Sequence, residues 1–148
     1  MQLTRYTDYS LRVLVYLCLK KDDSVTITEI AEYYQISRNH LVKVVHHLAN
    51  LGFIRTTRGK GGGIRIAHPP NEISIGDVVR KTEPNFDIVE CFSNKKQSCM
   101  VEPICALKGI LSDASQSFLD VLDQYTLADA IKQGTPVSAS IGLVQMSK

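Results

Sequence analysis

Three of the four cysteines in this sequence of 148 residues lie within one short segment. Seven residues separate Cys91 from Cys99, and five separate Cys99 from Cys105. Thiolates are soft ligands that bind zinc or iron–sulfur clusters. Zinc sites usually contain a Cys-x2–4-Cys pair, which this segment lacks. The spacing therefore favours an iron–sulfur cluster, with a zinc site and three unligated thiols as the alternatives.

Three cysteines leave a cubane cluster one ligand short, because each of its irons takes one protein ligand. The segment contains no histidine, and no histidine follows it. We therefore expect the fourth ligand to be a carboxylate, a small molecule or a residue of a partner subunit. The remaining cysteine, Cys18, falls on the apolar face of a predicted helix and is expected to be a small buried hydrophobe.

The charge distribution indicates a polyanionic partner. Residues 1–70 hold ten Lys or Arg against five Asp or Glu, whereas residues 71–148 hold seven against ten, and the formal net charge is +2. No acidic residue occurs from position 33 to position 71. A basic stretch that excludes acids is typical of nucleic-acid binding, although a solvated basic face would produce the same composition.

The first seventy residues have the pattern of a winged helix-turn-helix. Apolar spacing predicts helices over 7–21, from 27 to 33 or 34, and from 38 to 51, with Thr7, Thr26 and Ser37 as N-caps. The predicted strands 53–57 and 64–67 flank a glycine-rich turn, which indicates a hairpin wing. In this fold the start of the third helix enters the major groove, and the wing lies beside the duplex. The candidate DNA contacts are Ser37, Arg38, Asn39, His40, Lys43, Arg58 and Lys60.

The second half of the chain carries a predicted helix from about 104 to 125. Its apolar residues are spaced alternately three and four apart, which is the heptad pattern of a helix that packs against a second subunit. Packing on its own subunit alone is the simpler alternative. The expected fold is mainly α, with a small β-hairpin wing and a long dimerisation helix. We divide it into a DNA-binding domain (1–70), a cluster loop with the dimerisation helix (71–132) and a flexible tail (133–148).

Several classes of protein are disfavoured by the sequence. It has no apolar run long enough to span a membrane and no signal-peptide pattern, so a cytoplasmic location is expected. A thiol-redox enzyme would need a Cys-x-x-Cys motif, which is absent, and no catalytic acid–base pair or nucleophile–base motif is present. We therefore expect a DNA-binding protein rather than an enzyme. A scaffold that only dimerises, and a zinc-stabilised or cofactor-free regulator, remain as alternatives.

The chain resembles the NsrR-type repressors, which sense nitric oxide within the winged-helix family that also contains the iron–sulfur regulator IscR. The resemblance covers residues 1 to about 132. It rests on segments 1–4, 7–9, 37–40, 58–60, 62–65, 75–80, 116–119 and 125–129, together with the three clustered cysteines. It implies a homodimeric repressor that binds near-palindromic operator DNA and is released from it by nitric oxide. A family member that senses cluster status instead of nitric oxide is the alternative.

The resemblance also implies a ligand set for the cofactor. One cluster per subunit, most commonly [4Fe–4S] with [2Fe–2S] as the alternative, is held by Cys91, Cys99 and Cys105, and by Asp8 of the other subunit. Arg12 lies one helical turn after Asp8 and is expected to orient that carboxylate through a hydrogen bond. IscR-like proteins carry a ligating histidine three residues after the last cysteine, where this chain has Lys108. That difference favours the nitric-oxide-sensing group.

Overall fold

The structure is a computed structural model that describes residues 2–21, 23–59, 61–93, 99–101 and 104–132. It is mainly helical with one antiparallel β-hairpin, as predicted. The elements in chain order are α1 (Arg5–Leu19), α2 (Ile27–Tyr34), α3 (Arg38–Asn50), β1 (Ile54–Thr57), β2 (Gly63–Ile66), α4 (Ile75–Thr82), α5 (Ala106–Asp123) and α6 (Leu127–Ile131). Short 3-10 turns occupy 70–72 and 90–92. The predicted tail, 133–148, lies outside the described residues.

The first helix begins earlier than the sequence pattern predicted. Thr4, rather than Thr7, is the N-cap, and its hydroxyl accepts the backbone N–H of Thr7 at 3.3 Å. Thr7 is fully buried inside α1, and its own hydroxyl donates to the carboxylate of Glu83. The assignment of Thr7 as the N-cap was therefore wrong. Glu83, which accepts the hydrogen bond from Thr7, lies 76 positions further along the chain.

The helix-turn-helix is built by α2 and α3. The Thr26 hydroxyl accepts the N–H of Glu29 at 3.1 Å and starts α2, as predicted. Gln35 adopts a left-handed conformation with φ 54°, which turns the chain sharply towards α3. Ser37 occupies the N-cap position of α3, but its side chain makes no capping hydrogen bond. Its hydroxyl is consequently not used to start the helix.

The wing hairpin pairs β1 with β2 in antiparallel register, with Ile54 opposite Ile66 and Thr57 opposite Gly63. The second strand also bridges to Val25, which attaches the wing to the segment before α2. A Cβ atom on Gly62 would collide with the backbone of Thr57, and one on Gly63 would collide with Ser24. Glycine at 62 therefore allows the turn of the hairpin to close against Thr57, and glycine at 63 allows the second strand to lie against residues 24 and 25.

The hydrophobic core draws on both halves of the chain. Leu14 of α1 and Leu41 and Leu48 of α3 pack in the same buried cluster as Val78 of α4 and Leu127 of α6. The cysteine-bearing half is therefore packed directly on the helix that begins the chain, and the two halves share one interior.

An ion pair attaches α5 to α4. Arg80 binds Asp123 through its two terminal nitrogens, Nη1 and Nη2, with Nη2 2.7 Å from Oδ2. The carboxylate lies directly over Gly76, where a Cβ atom would overlap it. The glycine thus creates the space in which this pair closes, and the pair fixes where the long helix crosses α4.

The long helix leaves most of its predicted heptad face uncovered. The residues buried on α5 are Ser115 and Leu119, whereas Leu107 is 59% exposed and Val121 is 51% exposed. Ile104 and Tyr125, just outside the helix, are 86% and 52% exposed. Within the described part of the chain, the helices are too short or too polar to cross a membrane.

Candidate metal centre and nucleic-acid interface

Two of the three clustered cysteines border one open cavity of about 650 Å³. Cys91 lies in the short turn 90–92, and Cys105 occupies the N-cap position of α5. Both are partly buried. The cavity is also lined by residues on either side of Cys91 and by residues of α5, which include Phe86, Phe92, Lys108, Ser112 and Leu119.

Cys99 is not among the residues that line this cavity. It is exposed, in a described segment of three residues between 94–98 and 102–103. Across the described ranges, no three His, Cys, Asp or Glu side chains come close enough together to hold a metal ion. The structure thus brings together Cys91 and Cys105 but leaves Cys99 at the surface.

The donor chemistry fits an iron–sulfur cluster. All three thiols are free of disulfide bonds, and soft thiolates are the ligands that iron–sulfur clusters take. The cavity beside Cys91 and Cys105 provides room, and Cys105 lies at the start of a helix of 18 residues. Negative charge is stabilised at that end of a helix, which suits an anionic cofactor. Cys18 differs, since it is buried in the core and burial raises the pKa of its thiol to about 11.

Asp8 and Arg12 form the ion pair expected from their spacing on α1. Arg12 Nε donates to Asp8 Oδ1 at 3.0 Å, and Nη2 lies 3.0 Å from Oδ2. The hydrogen bond to Asp8 raises the pKa of Arg12 above its usual range. The side chains are 43% and 45% exposed, so the Asp8 carboxylate is held in one orientation and remains accessible to another subunit. The role of Asp8 as a ligand stays a prediction.

Glu83 holds the start of the helix that carries Asp8. Its carboxylate accepts the backbone N–H of Thr4 at 3.1 Å and the hydroxyls of Thr4 and Thr7. A carboxylate at this position is favoured by the positive end of the α1 dipole. Because Glu83 ends α4, the chain that enters the cysteine loop is tied to the N-terminus of α1. This contact could not be predicted from local sequence patterns, since 79 positions separate Glu83 from Thr4.

The predicted DNA-reading side chains lie on one exposed part of the molecule. Ser37, Arg38, Asn39, His40 and Lys43 are all exposed along the N-terminal half of α3. The opposite face of the same helix is buried through Leu41, Val44, Val45 and Leu48. The recognition helix is therefore anchored by its apolar face and presents its polar face to solvent.

Tyr6 of α1 lies beside this exposed face. Tyr6 Oη donates to the backbone carbonyl of Lys43 at 3.2 Å, and its ring lies 5.6 Å from that of His47. Arg58 is exposed at the end of the first wing strand. Lys60, the other predicted wing contact, lies outside the described residues. Tyr6 was not singled out from the sequence, because its partner is 37 positions away.

Comparison with known proteins places the chain in a family. Residues 3–133 match the sequence model of Rrf2, described as an iron-dependent transcriptional regulator. The chain belongs to the Rrf2 family.

The similar proteins agree with this assignment. The HTH-type transcriptional regulator NsrR of Bacillus subtilis is 52% identical over 133 residues, which cover 89% of this chain and 91% of the relative. NsrR of Halalkalibacterium halodurans is 48% identical and covers 97% of this chain and 99% of its own length. The structure of IscR from T. potens superposes with a TM-score of 0.71 over 89% of this chain and 87% of that one, at 24% identity, and shows the shared fold. The chain is thus a transcriptional regulator of the NsrR type and not an enzyme.

Proposed function

We propose that this chain is a cytoplasmic, homodimeric repressor that binds near-palindromic operator DNA and is released from it by nitric oxide. The observation that carries the proposal is the cavity shared by Cys91 and Cys105, in a chain whose helix-turn-helix has an exposed reading face. Close similarity to proteins named NsrR over nearly the whole chain supports nitric oxide as the signal.

The proposed cofactor is one iron–sulfur cluster per subunit, most simply [4Fe–4S]. Cys91, Cys99 and Cys105 would hold it, with Asp8 of the second subunit as the fourth ligand. When bound, the cluster supplies iron that reacts with nitric oxide. For Cys99 to join the other two thiols, its segment must move towards the cavity, and its exposed position allows this.

The exposed apolar face of α5 is the proposed dimer interface. Leu107, Ile110 and Val121 leave more than half of their surface exposed, and Met100, Val101 and Ile104 extend this patch next to Cys99 and Cys105. Exposed apolar patches of this kind mark protein–protein contacts. A two-fold dimer built on α5 would place two copies of α3 at one spacing, which a near-palindromic operator requires. Residues 1–70 would then read DNA, and residues 71–132 would bind the cluster and the partner.

The switch follows from where Asp8 is bound. Asp8 would hold a cluster on the partner subunit and would so connect α1 of one subunit to the cysteine loop of the other. Without that connection the two recognition helices would no longer be held in register. Carboxylate oxygen is a harder ligand than thiolate, so Asp8 would be the ligand most readily lost. A coupling free energy of about 1–3 kcal/mol is enough to change operator occupancy substantially.

Arg38 and Arg58 are expected to contribute differently to DNA binding. Arg38→Ala should remove a base contact and weaken the free energy of operator binding by about 1–3 kcal/mol. It should also reduce the discrimination between operator and other sequences. Arg58→Ala should weaken binding to all sequences by a similar amount. The slope of the logarithm of the binding constant against the logarithm of the salt concentration should become shallower by about one, as expected for the loss of one phosphate contact. Lys132→Ala, which removes a lysine paired with Asp129 outside the helix-turn-helix, is the control. Fluorescence anisotropy with operator and scrambled duplexes at several salt concentrations measures all three. Equal losses on both duplexes for Arg38→Ala would contradict its reading role.

The cofactor is tested by iron and sulfide analysis of anaerobically purified protein, together with its absorbance spectrum. A [4Fe–4S] cluster predicts about four irons and four sulfides per chain and a brown colour, and about two of each indicates [2Fe–2S]. Zinc without sulfide, or neither metal, would identify a zinc-stabilised or cofactor-free regulator instead.

A further inference from the structure

One lysine lies in the wall of the cysteine cavity. Lys108 is on α5, one helical turn after Cys105, and its backbone N–H donates to the Cys105 carbonyl at 3.2 Å. Its side chain is partly buried, and the residue lines the same cavity as Cys91 and Cys105. Long side chains on a helix point back towards its N-terminus, which is the end of α5 that holds Cys105.

Lys108 is the positively charged member of the described cavity wall. The other charged residue in that wall is Asp87, which is exposed. Solvent screens the charge of an exposed carboxylate, whereas a partly buried ammonium group acts through a medium of lower dielectric constant. The remaining described wall residues, such as Phe86 and Ser112, carry no fixed charge. The wall therefore brings one positive charge to the cavity that holds the two thiols.

The position of this lysine is not explained by the stability of α5. Lys108 is the third residue of the helix. The third residues of α2, α4 and α6 are acids, namely Glu29, Asp77 and Asp129. An acid stabilises the positive N-terminal end of a helix, whereas a lysine there is unfavourable. Among the described α-helices, α3 is the other one without an acid in its first turn, and α3 carries the proposed contacts to DNA, a polyanion. A lysine in the first turn of α5, beside two thiols, therefore indicates an anion in the cavity.

We propose that Lys108 compensates the negative charge of the cluster and its ligands, and that it is a positioning residue of the cofactor site. This inference rests on the proposed function, in which the thiolates of Cys91, Cys99 and Cys105 and one carboxylate hold the cluster. Each of these ligands brings one negative charge into a partly buried site, which is unfavourable unless a positive charge lies nearby. An ammonium group donates hydrogen bonds but has no lone pair for iron, so Lys108 acts beside the ligands rather than as one of them.

The charge of Lys108 is tested first in metal-free, full-length protein. The readout is the rate at which iodoacetate alkylates Cys105, divided by the rate for iodoacetamide, with both rates obtained by peptide mass spectrometry. The two reagents differ in charge and are similar in size, so the exposure and ionisation of the thiol cancel in the ratio. A nearby positive charge favours the anionic reagent. We expect the ratio to fall by about two- to fivefold in Lys108→Gln, as for the loss of one nearby unit charge in a largely aqueous medium.

Two further variants separate the charge of this residue from its other properties. Lys108→Arg keeps the positive charge and should retain the wild-type ratio. Lys81→Gln removes a lysine that pairs with Asp77 on α4 and is not among the described residues that line the cavity, so it should also leave the ratio unchanged. An unchanged ratio in Lys108→Gln would overturn the proposal. Lys108→Ala provides the same comparison if the glutamine variant does not fold.

The second measurement uses the cluster-loaded dimer and follows the loss of cluster absorbance after an iron chelator is added anaerobically. Removing a residue that supports metal ligands lowers metal affinity by about 10–100-fold, so loss should be about tenfold faster in Lys108→Gln than in wild type or Lys108→Arg. Wild-type protein without iron and sulfide would refute the proposed function, and this inference with it. Wild-type protein that carries the cluster, together with a Lys108→Gln protein that loses it at the wild-type rate, would refute the role of Lys108 alone.

Discussion

Replacing Cys105 by serine is expected to remove the cluster from anaerobically prepared protein. Cys105 lines the cavity and occupies the N-cap position of α5. Its backbone position is therefore set by the helix before any cofactor binds. Loss of a residue that merely supports a metal ligand already lowers metal affinity by about 10–100-fold, and loss of the ligand itself should exceed that. Iron and sulfide per folded chain should fall by more than about tenfold, and operator binding should become insensitive to nitric oxide.

Cys18→Ala is the matched control for this experiment. Cys18 is the remaining cysteine, and it is buried in the core away from the cavity. The substitution should lower stability modestly but leave iron and sulfide per folded chain at the wild-type value. A Cys105→Ser protein that keeps its full iron and sulfide content would show that Cys105 is not a ligand.

The largest loss of stability is expected for Leu41→Ala. Leu41 is fully buried on the inner face of α3, in the cluster that joins the recognition helix to the rest of the core. Removing three heavy atoms from such a site leaves a cavity and costs about 2–5 kcal/mol in free energy of unfolding. Because α3 is anchored by this face, the recognition helix should become the least protected part of the helix-turn-helix.

The neighbouring Val42→Ala provides the control, since Val42 lies on the exposed face of α3 and is 39% exposed. Its free energy of unfolding should change by less than about 0.5 kcal/mol, which is typical of surface positions. Urea unfolding followed by circular dichroism measures both variants. Equal destabilisation by the two substitutions would mean that α3 is not held in the core by its Leu41 face.

Local patterns in the sequence were sufficient to predict most elements of the fold. The capping residue Thr26, the heptad spacing of α5 and the glycines of the wing each act over a few positions, and each appears in the structure. Thr7 was misassigned because its hydroxyl is bound by Glu83, and no local pattern carries information about a contact 76 positions away.

Contacts within one helix of the candidate site were predicted from the sequence, whereas contacts between elements were not. The Asp8–Arg12 contact is present as expected, since i,i+4 spacing places the two side chains on one helix face. Arg12 also contacts the ring of Tyr34, and this contact was missed because it depends on how α1 and α2 cross. The cavity at Cys91 and Cys105 could be predicted only as a cysteine cluster, because its walls come from a loop and a helix that meet through tertiary packing.

In the proposed switch, the state of the cluster determines the affinity of the dimer for its operator. The most direct measurement is an anaerobic titration of one operator duplex with the wild-type dimer in three forms: cluster-loaded, metal-free and treated with nitric oxide. We predict tight binding by the cluster-loaded form, and binding at least about fivefold weaker by the other two forms, as expected for a coupling free energy of about 1–3 kcal/mol. Equal affinity in all three forms would contradict the account.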